Sequence, residues 1–267
     1  TDVTGVQTCA LPIYIQYSCL LSPIHTNHLV YLFYIMHLDF SFLLKERNMN
    51  LTELMDCIPH LREILHIVRE AFEDYDDPAH DISHTFRVTE NASEIASRER
   101  CDLQKAVIAA LLHDIKRPQE ALTGIDHAES GAEYALGLLP TMGFNFSFIS
   151  EVSQAIRSHR YSGGLTPTSV TGKILQDADR LDAIGAVAIA RVFAYSGKVG
   201  TPLHSLQFGP CNSYSGNSRS SINHFHEKIL KIRPETFWTG TARKMAEDRY
   251  SFVVEFVKRF LAEWGQI

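Results

Sequence analysis

Apolar residues recur every three or four positions over most of the chain after residue 48, a spacing typical of amphipathic helices. The first such stripe follows Pro59, a favoured residue in the first turn of a helix, and runs from Leu61 to Phe72. Asp126 and Glu129 have capping-box spacing at the start of a later helix. The pattern predicts helices from residue 61 and over residues 83–97, 103–112, 126–139, 147–159 (capped by Ser147), 173–195 and 241–264.

These stripes, without an alternating strand pattern or an internal repeat, predict an all-α bundle. The segment from Leu103 to Leu112 is apolar almost all round, so we expect it at the centre of the bundle. Segments rich in Gly, Ser, Thr and Pro interrupt the helices at residues 160–172 and 196–221. Long loops are often lids or disordered segments, and the second is expected to be either a lid or an ordinary insertion.

The first 48 residues lack this regular spacing. Residues 1–13, TDVTGVQTCALPI, resemble translated sequencing-adapter read-through, and such segments are excluded from fold arguments. The apolar run from Leu29 to Leu44 contains His37 and Asp39 and is shorter than the roughly 20 apolar residues of a membrane span. No signal peptide pattern is recognisable either. We therefore expect residues 1–48 to be an artefactual or disordered leader, with residues 49–267 forming a single domain.

Composition narrows the class of partner. The net charge of −6 argues against a nucleic-acid or membrane binder, whose surface is usually basic. The three cysteines after residue 48 are widely spaced, which indicates neither a disulfide framework nor a zinc knuckle. We expect a cytoplasmic protein with a small-molecule partner. The apolar last helix is compatible with either a core position or a homodimer interface.

Histidine and aspartate residues follow one another in order through the middle of the chain. Imidazole nitrogen and carboxylate oxygen together suit a borderline divalent metal such as Mn, Fe, Co or Zn. Asp179 also interrupts a largely apolar run, where a carboxylate must be paired, protonated or metal-bound because an isolated buried charge is too costly. A metal-dependent hydrolytic site is indicated by the ordered set His84, His113, Asp114, His127, His159 and Asp179.

Three strings around these residues, HTFRV, LLHDI and LQDADRLDAIG, resemble the signature segments of the HD-domain metal-dependent phosphohydrolase superfamily. The resemblance is greatest to its small stand-alone bacterial members and extends from about Leu61 to Trp264. It implies that the metal ligands are His84, His113, Asp114 and Asp179, with Asp114 essential to catalysis. Mn, Co or Mg is the expected metal, with Fe and Zn as alternatives.

Further side chains are candidates for contact with the substrate. The planar fork of arginine suits phosphate, which favours Arg87 and Arg180. Lys116 and Lys228 are weaker candidates, and Asp182 could orient a metal ligand or contact a sugar hydroxyl.

The roles of His127 and His159 stay open between ligands of a second metal, phosphate contacts around a single metal, and support of the metal ligands. Some relatives place an acidic residue three positions after the Asp of the His-Asp pair, where this chain has Arg117. A carboxylate base at that position is therefore missing. The Lys116–Arg117 pair instead adds positive charge suited to a polyphosphate.

The resemblance implies hydrolysis of a small phosphorylated substrate, with conversion of a nucleoside triphosphate to monophosphate and pyrophosphate as the sharpest hypothesis. A nucleotidase or a phosphodiesterase of the same fold is an alternative. Two readings from other classes are a di-iron oxygenase and a non-catalytic nucleotide sensor. The exact substrate, the number of metal ions and the general base stay open.

Overall fold

A computed structural model describes residues 49–212, 214 and 216–265, so the expected leader lies outside the described residues. The described residues contain helices and no strand, which confirms the predicted fold class. Short 3-10 turns lie at Tyr161–Gly163, Ile229–Lys231 and Pro234–Thr236. The α-helices are α1 (Leu51–Cys57), α2 (Leu61–Ala71), α3 (Ile82–Arg98), α4 (Leu103–Leu112), α5 (Arg117–Thr123), α6 (His127–Thr141), α7 (Phe146–Arg157), α8 (Val170–Asp182), α9 (Ala186–Val199), α10 (Ser221–Glu227) and α11 (Gly240–Glu263).

Helix α4 forms the centre of the bundle, as its apolar sequence predicts. Every residue from Ala106 to Leu112 is fully buried, and the helix packs against α2, α3, α7 and α8. Burial of a whole helix surface requires a sequence with no polar face, which explains the run AVIAALL. The helix that ends in the His-Asp pair is therefore held from several sides.

Polar side chains at the helix starts fix where several elements begin. The Asp126 carboxylate accepts the backbone N–H of Ala128 at 2.8 Å and thereby caps α6, as predicted. The prediction of Ser147 as the cap of α7 is wrong. Asn145 takes that role because its side chain accepts the N–H of Phe148 at 3.0 Å.

The single helix predicted over residues 173–195 is also wrong, because the chain forms two helices there. Helix α8 ends at Asp182 and α9 starts at Ala186. Gly185 between them has φ 93° and ψ −167°, a conformation that side-chain-bearing residues rarely adopt. The apolar stripe continues through this turn, so periodicity alone did not reveal the break.

Helix α10, which the pattern did not predict, holds the long segment before it. The Asn223 side-chain amide donates to the carbonyl groups of Phe208 and Gly209, both at 3.1 Å. The Glu227 carboxylate accepts the N–H of Cys211 at 2.7 Å. Seven residues offer too few apolar repeats for such a helix to be recognised. None of the described helices combines the length and the apolar character that a membrane crossing requires.

Candidate metal centre

Four buried histidines from four helices meet at one place in the bundle. His84 lies in the first turn of α3, His113 follows α4, His127 begins α6 and His159 comes just after the end of α7. Ring centroids are 5.4 Å apart for His84 and His113, 5.1 Å for His113 and His159, and 5.2 Å for His159 and His127. The fold thus brings together all four histidines that the sequence singled out.

Backbone carbonyl groups orient two of these rings. His113 Nδ1 donates to the carbonyl of Ala110 at 2.6 Å, and His159 Nδ1 to that of Ile156 at 2.7 Å. A carbonyl oxygen can only accept, so the neutral ring carries its proton on Nδ1. The lone pair is then on Nε2, the nitrogen that faces the other histidines.

Carboxylates orient the other two rings, and here too the partner lies at Nδ1. His84 Nδ1 lies 2.7 Å from Asp182 Oδ2, and His127 Nδ1 lies 2.6 Å from Glu120 Oε2. Metal-binding histidines commonly donate their second ring nitrogen to a carboxylate or carbonyl in this way, which fixes the tautomer and the ring orientation. All four Nε2 atoms are therefore available as acceptors.

The Asp114 carboxylate lies between the two pairs of histidines. Its Oδ2 is 3.6 Å from His84 Nε2 and 3.5 Å from His113 Nε2. Its Oδ1 is 3.0 Å from His127 Nε2 and 3.6 Å from His159 Nε2. Asp179 adds a second carboxylate, whose Oδ1 is 3.4 Å from His84 Nε2.

These atoms form a centre made of acceptors, which requires a cation. His113 Nε2 and Asp114 Oδ1 are buried and have no hydrogen-bond partner. Buried polar atoms are rarely left without a partner, and a group that lacks one is expected to bind an ion or water. Two groups of ligand atoms lie close enough to share an ion, His84 with His113 and Asp179, and His113 with Asp114 and His159. The residues present fit a divalent metal ion.

Electrostatics differ between the residues of the centre. Burial would lower the pKa of His84, but hydrogen bonds to Asp179 and Asp182 raise it. Burial would also lower the pKa of His127, but a hydrogen bond to Asp114 raises it.

Burial by itself would raise the pKa of the Asp114 carboxyl, but the nearby His113 and Arg117 help to hold it well below its usual range. Burial lowers the pKa of His113 to about 4, so this ring is neutral at pH 7. A charged carboxylate and a neutral imidazole are the protonation states that bind metal.

Comparison with known proteins identifies the family. The model of the HD domain matches residues 81–184, which contain all four histidines, Asp114 and Asp179. The crystal structure of a predicted HD superfamily hydrolase from an uncultured Thermotogales bacterium is 71% identical, with 81% of this chain and 99% of that chain covered and a TM-score of 0.62. The chain belongs to the HD superfamily.

A second relative is the Bacillus subtilis (strain 168) protein YpgQ. The two are 32% identical over an alignment of 195 residues, and the match covers 67% of this chain and 82% of YpgQ. A crystal structure of YpgQ in complex with ADP has a TM-score of 0.58 at 29% identity and covers 76% of this chain and 96% of that chain. HD domains bind divalent metals, and the His/Asp groups described above could hold one.

Asp182 supports the HD centre without pointing into it. Besides His84, its carboxylate accepts Arg87 Nε at 2.6 Å, Arg87 Nη2 at 3.0 Å and Arg191 Nη1 at 2.5 Å. Burial would raise the pKa of Asp182, but these partners lower it. The structure therefore places Arg87, a candidate for substrate contact, in an ion pair with the buried Asp182, and of the two roles considered for Asp182 this position agrees with orienting a metal ligand.

The substrate candidate Lys228 is exposed, and its Nζ lies 5.6 Å from the centroid of the Tyr214 ring. Partial removal from solvent lowers the pKa of Lys228, Asp179 opposes that change, and Arg117 and Arg191 add to it. The Asp179 side chain is itself 27% exposed, whereas that of Asp114 is 3% exposed. The centre is therefore more exposed to solvent at Asp179 than at Asp114.

Two other substrate candidates lie outside this cluster. The Arg180 guanidinium is 4.0 Å from the centroid of the Tyr161 ring and 4.2 Å from that of Phe237, and Nη1 donates to the Thr236 carbonyl at 2.9 Å. Lys116 Nζ lies 4.3 Å above the Tyr134 ring. Both cations thus have aromatic neighbours and are not brought to the histidines.

Sequence reasoning missed two residues that contact the site. Arg191 pairs with Asp182, and its position in the apolar run AVAIARVFA was an available signal. Glu120, the partner of His127, lies in the short helix α5, and its neighbours offer no comparable signal.

Proposed function

We propose that this HD protein is a divalent-metal-dependent phosphohydrolase that acts on a nucleotide, converting a triphosphate to a monophosphate and pyrophosphate. The observation that carries the proposal is the acceptor-only centre, in which His84, His113, Asp114 and Asp179 direct lone pairs at one another. Such a set lowers its energy by holding a cation, and the four residues would hold a divalent ion.

His84, His113, Asp114 and Asp179 would hold this ion, and when bound it would supply Lewis-acid chemistry: polarisation of a phosphoryl oxygen and a lower pKa for a bound water. The chain's own residues supply orientation and charge. Asp182 fixes the tautomer of His84, and the Ala110 carbonyl does the same for His113. At the open side, Arg117 and Lys228 place positive charge near Asp179, where it would offset the negative charge of a phosphate chain.

Two observations favour a nucleotide over another phosphate ester as the substrate. The relative YpgQ has been crystallised in complex with ADP. Arg117 and Lys228 both interact electrostatically with Asp179, so more than one cation is available near this carboxylate. A chain of two or three phosphates could contact more than one of them.

Turnover with separate assays for phosphate and pyrophosphate tests the proposal. Metal-free protein would be loaded with Mn, Co, Mg or Fe(II) and given nucleoside mono-, di- and triphosphates. We expect pyrophosphate from triphosphates, lost in Asp114→Ala and retained in Asp248→Ala, a matched change at an exposed position of α11.

Other products would change the assignment. Orthophosphate from monophosphates would make the protein a nucleotidase, and nucleotide binding without turnover under every metal would make it a sensor. Absence of any product together with two irons per chain would favour an oxygenase, a reading that the second histidine pair keeps open.

A further inference from the structure

The two halves of the centre differ in their surroundings. In the described part of the chain, no arginine or lysine forms a hydrogen bond or an ion pair with the first half, which consists of His84, His113 and Asp179. In the second half, Arg117 Nη1 lies 3.4 Å from His127 Nε2 and 4.0 Å from Asp114 Oδ1. Among the described residues, an arginine or lysine nitrogen thus lies within 4.0 Å of the second half and not of the first.

Local structure holds Arg117 in this place. It is the first residue of α5, and its backbone N–H donates to the carbonyl of Asp114 at 2.8 Å. Pro118 follows and fixes the backbone in the first turn of the helix. The side chain is only 24% exposed, and a buried arginine needs anionic or acceptor partners. His127 and Asp114 are two of its partners, and the Tyr75 side chain is another.

A neutral imidazole offers one lone pair. Because His127 Nδ1 donates to Glu120, that lone pair is on Nε2. It can accept from the Arg117 guanidinium or bind a metal ion, but it cannot do both. The fixed charge of Arg117, which is not lost at any ordinary pH, also repels a divalent ion placed between His127 and Asp114 Oδ1.

We propose that the Arg117 guanidinium takes the place of a second metal ion in the His127–His159 half, so that the centre holds one ion. The inference rests on the proposed function insofar as the first half must bind a metal. It assigns to His127 a role as acceptor for Arg117 rather than as metal ligand. It also makes residue 117 the position that decides the number of ions.

The number of ions can be counted without turnover. Mn(II) would be titrated into metal-free protein, with bound metal measured by calorimetry and elemental analysis and with spin coupling followed by electron paramagnetic resonance. We expect one Mn(II) per chain and no coupled pair in the wild type. Arg117→Lys, which keeps the charge, should also bind one.

Arg117→Gln removes the charge and should raise the count from one to two, with the spectrum of a coupled pair. Lys116→Gln is the matched control, because it removes a neighbouring charge that lies over Tyr134 instead, and it should stay at one. Arg117→Met replaces the glutamine variant if circular dichroism shows that the latter does not fold.

Two ions in the wild type would overturn the inference. So would a single ion in Arg117→Gln, or in Arg117→Met where that variant replaces it. A wild type that binds no ion would overturn it together with the proposed function. The expected counts without hydrolysis of any nucleotide would leave the inference standing and refute the proposed function.

Discussion

In each histidine, the hydrogen bond made by the ring nitrogen that faces away from the centre determines whether the other nitrogen has a lone pair free for a metal ion. Ala110 and Ile156 supply carbonyl acceptors, while Asp182 and Glu120 supply carboxylates. A ring that lacked such a partner could rotate or change tautomer, and would then present a proton where a metal needs a lone pair. The supporting residues are thus as specific to the site as the ligands.

Asp182→Asn tests this support. The amide keeps the shape of the side chain but removes the charge and one of the oxygens that His84, Arg87 and Arg191 require. Because loss of a partner behind a ligand typically weakens metal binding about 10- to 100-fold, we expect a fall of that size in Mn(II) affinity, measured by calorimetry.

Asp177→Asn is the matched control. This carboxylate lies on another face of α8 and accepts the N–H groups of Trp238 and Thr239 at 3.0 and 2.8 Å, ahead of α11. The loss of such buried hydrogen bonds should reduce the free energy of unfolding by about 1–3 kcal/mol without changing Mn(II) affinity. Equal metal affinity in the Asp182 variant and the wild type would contradict the proposed role of Asp182.

Among the elements, the turn between α8 and α9 places two parts of the site. Helix α8 carries Asp179 and Asp182, and α9 carries Arg191 back towards Asp182. Gly185 allows the reversal, and a Cβ there would lie 3.2 Å from the Arg249 side chain. Arg249 in turn donates to the Leu181 carbonyl at 2.8 Å and so joins α11 to α8.

Gly185→Ala should therefore be costly. The strained backbone alone costs on the order of 1–3 kcal/mol, and the Arg249 stem must also move. Gly200→Ala is the control, because Gly200 also has a positive φ, 75°, but has open space around its Cβ position. Denaturant unfolding should show a smaller loss there, about 1–2 kcal/mol. Equal losses would mean that the Arg249 contact is unimportant.

A partly buried histidine in helix α10 should make the stability of the segment before this helix depend on pH. His224 Nδ1 lies 3.3 Å from Ser218 Oγ, and its ring packs 5.2 Å from that of Tyr214. Burial, followed by the nearby Lys228, lowers the pKa of His224 from its usual 6.5 to about 4. Since the unfolded state binds a proton first, this contribution to stability is complete above pH 6.5 and is lost as the pH falls towards 4.

Hydrogen exchange of residues 200–220 at pH 7 and pH 5, corrected for intrinsic rates, measures this effect. We expect weaker protection at pH 5, with a smaller difference in His224→Gln. His226 has a pKa lowered in the same sense, so some pH dependence should survive in that variant. If the difference in protection between pH 7 and pH 5 is the same in His224→Gln as in the wild type, His224 is not its cause.

For the molecule as a whole, the centre joins helices that are far apart in the chain. His84 and Asp182 are 98 positions apart, and His127 and His159 are 32 apart. Without a cation, their converging lone pairs and negative charges oppose one another. A bound ion should therefore stabilise the folded protein as well as serve its chemistry.

Metal removal measures this coupling. An ion present at 100 times its Kd stabilises a protein by about 2.7 kcal/mol, which for a domain of this size corresponds to a rise in Tm of about 5–10 °C. We expect Mn(II) to raise the Tm of the wild type by that amount and chelation to reverse it. Asp114→Ala should show little response, and a full response there would place the stabilising ion elsewhere.

Much of the fold could be predicted because helix formation depends on neighbours in the sequence. The stripe from Leu61, the apolar run at Ala106–Leu112 and the Asp126 cap all act within a few residues, and each prediction was confirmed. The break at Gly185 was missed because its cause is a single backbone conformation inside a continuous apolar stripe.

The sequence by itself determined an all-α bundle and the order of histidines and aspartates that implied a metal site. Only the tertiary structure decided which ring nitrogens face inward, that Asp182 supports His84, that Arg180 turns to Tyr161 and Phe237, and that Arg117 lies against His127. The physical reason is distance along the chain. Helical periodicity and caps are local, whereas the partner of a buried polar atom is set by how distant helices pack.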